Sequence, residues 1–200
     1  MKKIEFWFDT LCPWAWMTSR WLTEVEKVRD VSITWNVMSL YYLNLDRDGI
    51  GAEYLDHAQK ALGPLRVIVQ ASENHGEQIV GELYTSFGNK IHLKKREFSD
   101  DLIIEVLKDL GLSSSLLDSA HDQTLDTKIV KSHNRGVSLV GEDVGTPIIA
   151  VGDVAFFGPV ISPAPKGEDA GKLFDGVLAT ASFPGFFEIK RTRTVGPIFD

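Results

Sequence analysis

Within its first forty residues the chain switches twice between two hydrophobic periods, and that switching narrows the folds open to it. KIEFWF (3–8) alternates, with Ile4, Phe6 and Phe8 on one side, the pattern of a half-buried strand. Asp9 and Thr10 end it. Pro13 then suits the first turn of a helix, where a missing N–H costs nothing. Behind it Trp14, Thr18, Trp21, Val25 and Val28 recur at spacings of three and four, which predicts an amphipathic helix to about Asp30. SITWNVMSL (32–40) reads as a second, β-branched strand. Strand, helix and strand in this order predict a βαβ unit with parallel strands and a right-handed crossover.

The next hundred or so residues follow a helical period. AEYLDHAQKAL (52–62), the stretch 65–87, SDDLIIEVLKDLGL (99–112) and the stretch 113–136 are the candidate helices. Ser99 with Asp100 starts the third, and Gly111 ends it. TPIIAV (146–151) and VAFFG (154–158) then read as two strands joined by a Gly152-Asp153 turn, a hairpin signal, and 167–181 closes as a helix. No repeat or linker interrupts the 200 residues, enough for one sizeable core. The reading is one α/β domain, residues 1–46 with 141–200, carrying an inserted helical subdomain at 47–140.

The formal net charge is −7, from 21 basic and 28 acidic side chains. Such a surface disfavours nucleic acid and anionic membranes, whose binding relies on Lys and Arg. A small anionic substrate in a local basic pocket stays compatible with it. Glu5 and Asp9 interrupt the apolar N-terminus, which argues against a secretory leader. No apolar run reaches membrane-spanning length. A cytoplasmic protein is expected.

One cysteine stands in the whole chain, Cys12 in LCPWAW. It excludes an internal disulfide framework. The five histidines, His57, His75, His92, His121 and His133, show no zinc-ligand spacing, so no metal site is expected. A lone cysteine is commonly a small buried hydrophobe. Here it stands at a strand-to-helix turn, where free backbone N–H groups and the positive end of the helix favour an anion. Thiolates attack disulfides and electrophiles, and such positions lower the thiol pKa. Cys12 is therefore expected to be a partly exposed, acidic nucleophile. Trp14 is placed to shield the sulfur and to offer a flat face to a substrate. His92 suits packing or the surface, and Glu142 and Asp143 suit a solvated loop. KRTRT (190–194) reads as a solvated tail able to attract an anionic thiol.

Cys-Pro-Trp at the start of a βαβ helix, a helical insertion, and Thr146-Pro147 opening a hairpin together resemble the thioredoxin superfamily in its DsbA-like branch. FWFDTLCPWAW, LYTSFGNKIH, VGEDVGTP, VAFFGPV and FFEIKRTRT extend the resemblance to the cytosolic mycothiol-dependent reductases and nitroreductases of that branch. The resemblance spans nearly the whole chain. It implies a thioredoxin fold with an inserted α-helical subdomain, and a thiol-dependent oxidoreductase using mycothiol as thiol co-substrate. It also implies a cis Thr146-Pro147 bond facing the nucleophile, with Thr146 offering backbone groups to an extended substrate. Pro13, Trp14, Thr146 and Pro147 are the implied thiol-binding residues, and Asn44 and Tyr54 fall where the pocket rim is expected. The implied partners are a low-molecular-weight thiol and a small-molecule or disulfide substrate; a homodimer is compatible with this.

The departure is Ala15, which stands where dithiol members carry the resolving cysteine. A natural one-sulfur member and a deliberate replacement both produce this sequence. Either way Cys12 can take up a substrate sulfur, but a second external thiol must release it. Two other classes fit one sulfur as well. A kappa-type glutathione transferase or related isomerase binds a thiol without net redox change, and a thiol-binding or chaperone module binds without turnover.

Overall fold

The structure, a computed structural model, describes residues 1–199. Strand β1 (Lys2–Phe8), helix α1 (Pro13–Val28) and strand β2 (Val31–Val37) form the predicted βαβ unit, with β1 and β2 parallel and Ile4 opposite Ile33. Strands β3 (Ile148–Val151) and β4 (Val154–Phe157) complete a sheet of order β2-β1-β3-β4, both new pairings antiparallel. Gly152, at φ 60°, makes the turn between them.

The alternation in β1 turns out to serve two faces. Ile4, Phe6 and Phe8 enter the main core, with Trp16 and Trp21 of α1 and Phe174 of the last helix, α8 (Gly167–Ala181). Trp21 Nε1 donates to the Ala170 carbonyl of α8 at 3.0 Å. Trp7 points the other way, into a smaller cluster with Met38, Val137, Ile148 and Ala150. On that second face Lys3 is exposed and Glu5 half-buried, so the strand is covered on both sides only at its C-terminal end.

Between β2 and β3 the chain is helical. The segments are α2 (Leu40–Asn44), α3 (Ala52–Lys60), α4 (Leu62–His75), α5 (Gln78–Gly88), α6 (Asp100–Asp109) and α7 (Asp126–Val140). A π-helical turn (Asn89–Leu93) follows α5, and short 3-10 segments (Ser114–His121, Gln123–Leu125) precede α7. Three expectations need correction. The second strand stops at Val37, because the Ser39 hydroxyl accepts from Tyr42 N at 3.4 Å and starts α2. The stretch 65–87 is two helices, broken at Gly76 in the left-handed region (φ 88°). The stretch 113–136 becomes a regular helix only from Asp126 and runs on to Val140. We place the inserted helical part at 47–140; its last helix also leans on the sheet, since Trp7 Nε1 donates to the Ser132 carbonyl at 3.0 Å.

The insertion and the sheet share an aromatic core. Tyr84 of α5 stacks on Phe8 with ring centroids 3.7 Å apart and meets Trp16 edge-on at 5.8 Å. Gly88 lets the Trp16 ring lie against the helix backbone, and a Cβ there would run into the ring itself. Its φ of −61° is ordinary, so the requirement is for space. Gly88→Ala is therefore expected to cost about 3 kcal/mol through overpacking. For a chain of this size that lowers the thermal midpoint by roughly 6–12 °C. A midpoint unchanged in a calorimetric scan would contradict this packing.

Candidate active site around Cys12

Cys12 is the N-cap of α1, with extended backbone (φ −81°, ψ 110°), and Pro13 follows as the first helical residue. The turn is held from two sides. Cys12 N donates to the Asp9 carbonyl at 3.1 Å. The Asp9 carboxylate accepts from Leu11 N at 2.9 Å and from Leu40 N at 2.6 Å. Asp9 thus ties the cysteine loop to the start of α2. It is fully buried, and burial pushes its carboxyl up to about 6 against the pull of those two N–H groups. The sequence presents this residue only as the end of a strand.

The sulfur sits between two elements distant in sequence. Its thiol donates to the Thr146 carbonyl at 3.4 Å and it accepts from Ala15 N at 3.4 Å. Thr146 is fixed in turn, its hydroxyl donating to the Trp7 carbonyl at 2.6 Å, and the Thr146-Pro147 bond is cis. The Pro147 carbonyl accepts from Gly158 N at 2.8 Å, which links the hairpin to the site. Ala15 is completely buried one turn behind the sulfur. Cys12, Pro13, Ala15, Thr146 and Pro147 therefore meet at one point.

Asn44 and Tyr54, the residues expected at a pocket rim, meet each other. Asn44 Nδ2 donates to the Leu40 carbonyl at 2.7 Å and to the Tyr54 hydroxyl at 3.4 Å. Burial raises the Tyr54 phenol first, and the charges of Asp9 and Cys12 raise it further, which puts this hydroxyl in the electrostatic neighbourhood of the sulfur. Trp14 is half-buried, and the Arg193 guanidinium lies over its ring at 5.2 Å. The tail that reads as solvated thus reaches the site. His92 is buried, with its ring 5.7 Å from Trp16 and no hydrogen-bond partner at Nε2. Burial pushes its imidazole down to about 4. Glu142 and Asp143 are exposed. Among the described residues no group of three His, Cys, Asp or Glu side chains is arranged to hold a metal, and no helix is long and apolar enough to cross a membrane.

One expectation is overturned. Cys12 is only 7% exposed, and burial pushes its thiol up to about 11. The N–H groups of Ala15 and Trp14 favour the thiolate as anticipated, but desolvation outweighs them and the Asp9 charge adds to it. The helix start is as predicted; the cover over it is what the motif alone does not contain. In the free protein the alkylation rate of Cys12 should therefore still be climbing about tenfold per pH unit at pH 9, since the thiolate is the reactive form. A plateau already reached below pH 8, in a stopped-flow alkylation series, would contradict this closed site.

The family described as Rv2466c-like, mycothiol-dependent nitroreductase Rv2466c, matches residues 11–191. The uncharacterized protein Rv2286c of Mycobacterium tuberculosis is 27% identical over 97% of this chain and 84% of its own length. Among solved structures, a 2-hydroxychromene-2-carboxylate isomerase superposes with a TM-score of 0.63 at 14% identity, over 88% of this chain and 94% of that one. A probable DsbA oxidoreductase from Streptomyces coelicolor gives 0.58 at 12% identity, over 98% and 94%. The cytosolic disulfide reductase DsbM from Pseudomonas aeruginosa, determined with GSH, gives 0.57 at 15% identity, over 88% and 99%. These structures share the thioredoxin fold with inserted helices. On this match the chain belongs to the Rv2466c-like family of mycothiol-dependent nitroreductases and is a thiol-dependent oxidoreductase of the DsbA-like fold.

Proposed function

We propose that this protein reduces its substrates through a single sulfur, with mycothiol as the thiol co-substrate and a disulfide or a nitro compound as the acceptor. The observation that carries the reading is the position of Cys12: an N-cap sulfur bonded to the cis-proline strand through the Thr146 carbonyl, in a chain of this family. In disulfide reduction the Cys12 thiolate attacks one sulfur of the substrate. It forms a mixed disulfide and expels the other sulfur as a thiolate. A mycothiol thiolate then attacks that mixed disulfide and leaves as a new disulfide, regenerating Cys12. With Ala15 in the second position no internal attack competes.

The remaining residues have roles that follow from their placement. Ala15 N–H and Trp14 N–H stabilise the thiolate once the cover is open. The Thr146 carbonyl, freed from the thiol proton, accepts an amide N–H of the co-substrate in a short extended pairing. Pro13 and Trp14 form one wall of the thiol site. Asn44 and Tyr54 form the opposite rim and bear on the substrate. Mycothiol use supports a cytoplasmic setting. One sulfur also suits an isomerase or transferase that holds a thiol without net redox change.

Turnover with mycothiol, glutathione and dithiothreitol at equal concentration tests the reading. Consumption of the substrate, fastest with mycothiol, is the expected result, matched for a disulfide by the mixed disulfide of mycothiol with the substrate sulfur and for a nitroarene by mycothiol disulfide. Product formation with no thiol oxidised would move the protein to the isomerase or transferase class.

A further inference from the structure

After α8 ends at Ala181 the described residues, 182–199, form no helix or strand, and most of their side chains are exposed, Phe187 to 94%. Residues 190–199 nevertheless return to the body of the protein at three places. The Arg193 guanidinium lies over the Trp14 ring. The Ser162 hydroxyl donates to the Gly196 carbonyl at 3.2 Å and accepts from Ile198 N at 2.7 Å. Phe199 stacks on His92, centroids 5.8 Å apart with an interplanar angle of 27°. These three points surround the first turns of α1. Trp14 is two residues from Cys12, and His92 packs on Trp16. Ser162 lies in the loop whose Pro159 carbonyl accepts from Thr18 at 2.7 Å.

We propose that residues 190–199 form a strap across the mouth of the Cys12 site, latched at Trp14, Ser162 and His92, and that a thiol reaches the sulfur only when the strap lifts. The burial of Cys12 is then a property of the strapped state. The latches suit a segment that opens locally. They are one cation over a ring, two hydrogen bonds through one half-buried serine and one ring stack, with no helix or strand to melt. Arg193, Gly196, Ile198 and Phe199 all lie beyond residues 11–191, the part matched to the family. The strap therefore carries its own latching residues outside that matched segment. Its bearing on turnover rests on the Cys12 chemistry proposed above, whereas its control of access does not.

Cys12 is the single thiol, so alkylation by neutral iodoacetamide reads access to it alone. The full chain is compared with a chain ending at Ile189 and with an Arg193→Ala/Phe199→Ala double variant. Shortening should speed alkylation about tenfold, the factor expected when the accessible state rises from about a tenth to nearly all of the population. The double variant should show about threefold on the same scale. Thermal unfolding, followed in parallel, separates this from loss of fold; if the shortened chain no longer unfolds cooperatively, the double variant decides. Linkage supplies a second readout. If lifting exposes Cys12, loading Cys12 must favour lifting. The Ile198 amide should then exchange with solvent faster in the mixed disulfide with 2-mercaptoethanol than in the free protein. Alkylation within twofold of the full chain in the double variant, or equal protection of Ile198 in both states, would overturn the strap. Slow turnover together with fast alkylation would instead count against the chemistry and leave access control intact.

Discussion

A Cys12→Ser protein is expected to lose thiol exchange to the level of the buffer reaction, a fall of about a thousandfold or more. No other sulfur in the chain can form a mixed disulfide, because the remaining sulfur atoms are methionine thioethers. A serine hydroxyl does not ionise at working pH and does not attack a disulfide. The fold should survive the change. Cys12 is the N-cap of α1 and accepts from Ala15 N. Serine is among the preferred N-cap residues and can accept the same bond. A thermal midpoint close to that of the parent, beside lost turnover, separates a chemical role from a structural one. Undiminished turnover would move the chemistry away from LCPWAW altogether.

Ala15→Cys is expected to have the opposite effect. Ala15 N lies 3.4 Å from the Cys12 sulfur, and the two residues are three apart at a helix start. That separation meets the Cα limits of a disulfide without backbone movement. Ala15 is fully buried, so the new sulfur enters beside Cys12 and away from solvent. Mild oxidation should remove two hydrogens from the intact mass and leave no alkylatable thiol. Resolution of the mixed disulfide then becomes intramolecular. Turnover at low external thiol should rise by about tenfold or more, because the attacking sulfur is held in place. The parent depends on a second thiol molecule and should show a steeper dependence on thiol concentration. A variant that keeps two free thiols after oxidation would contradict the geometry.

How far the sequence carries depends on which interactions are local. The βαβ unit, the hairpin turn at Gly152 and the last helix are set by period and by single turn residues, and they appear where those signals lie. Strand β2 is misread past Val37 because Met38 and Leu40 keep the stretch apolar, although they fall out of phase with Ile33, Trp35 and Val37, while the decisive cap is one hydroxyl at Ser39. Within the site, the convergence of Cys12 with Thr146 and Pro147 follows from the resemblance, since nothing local joins residues so far apart. Asp9 escapes notice for the same reason: one of its two partners, Leu40, is 31 residues away. An aspartate three residues before a helix-capping cysteine is the available signal. Arg193 reads as a tail charge because its contact is with Trp14. The thiol pKa is misjudged because the helix start is visible in the sequence and the burial opposing it is not.

The most direct test of the account is the intact mass of the protein after incubation with oxidised mycothiol. The account predicts one mycothiol per chain, located on the peptide holding Cys12, stable until a second thiol is added and then released with recovery of the starting mass. The Cys12→Ser protein should acquire no mass. A protein that stays unmodified under these conditions, while its Cys12 can still be alkylated, would contradict the claim that Cys12 takes up and passes on mycothiol.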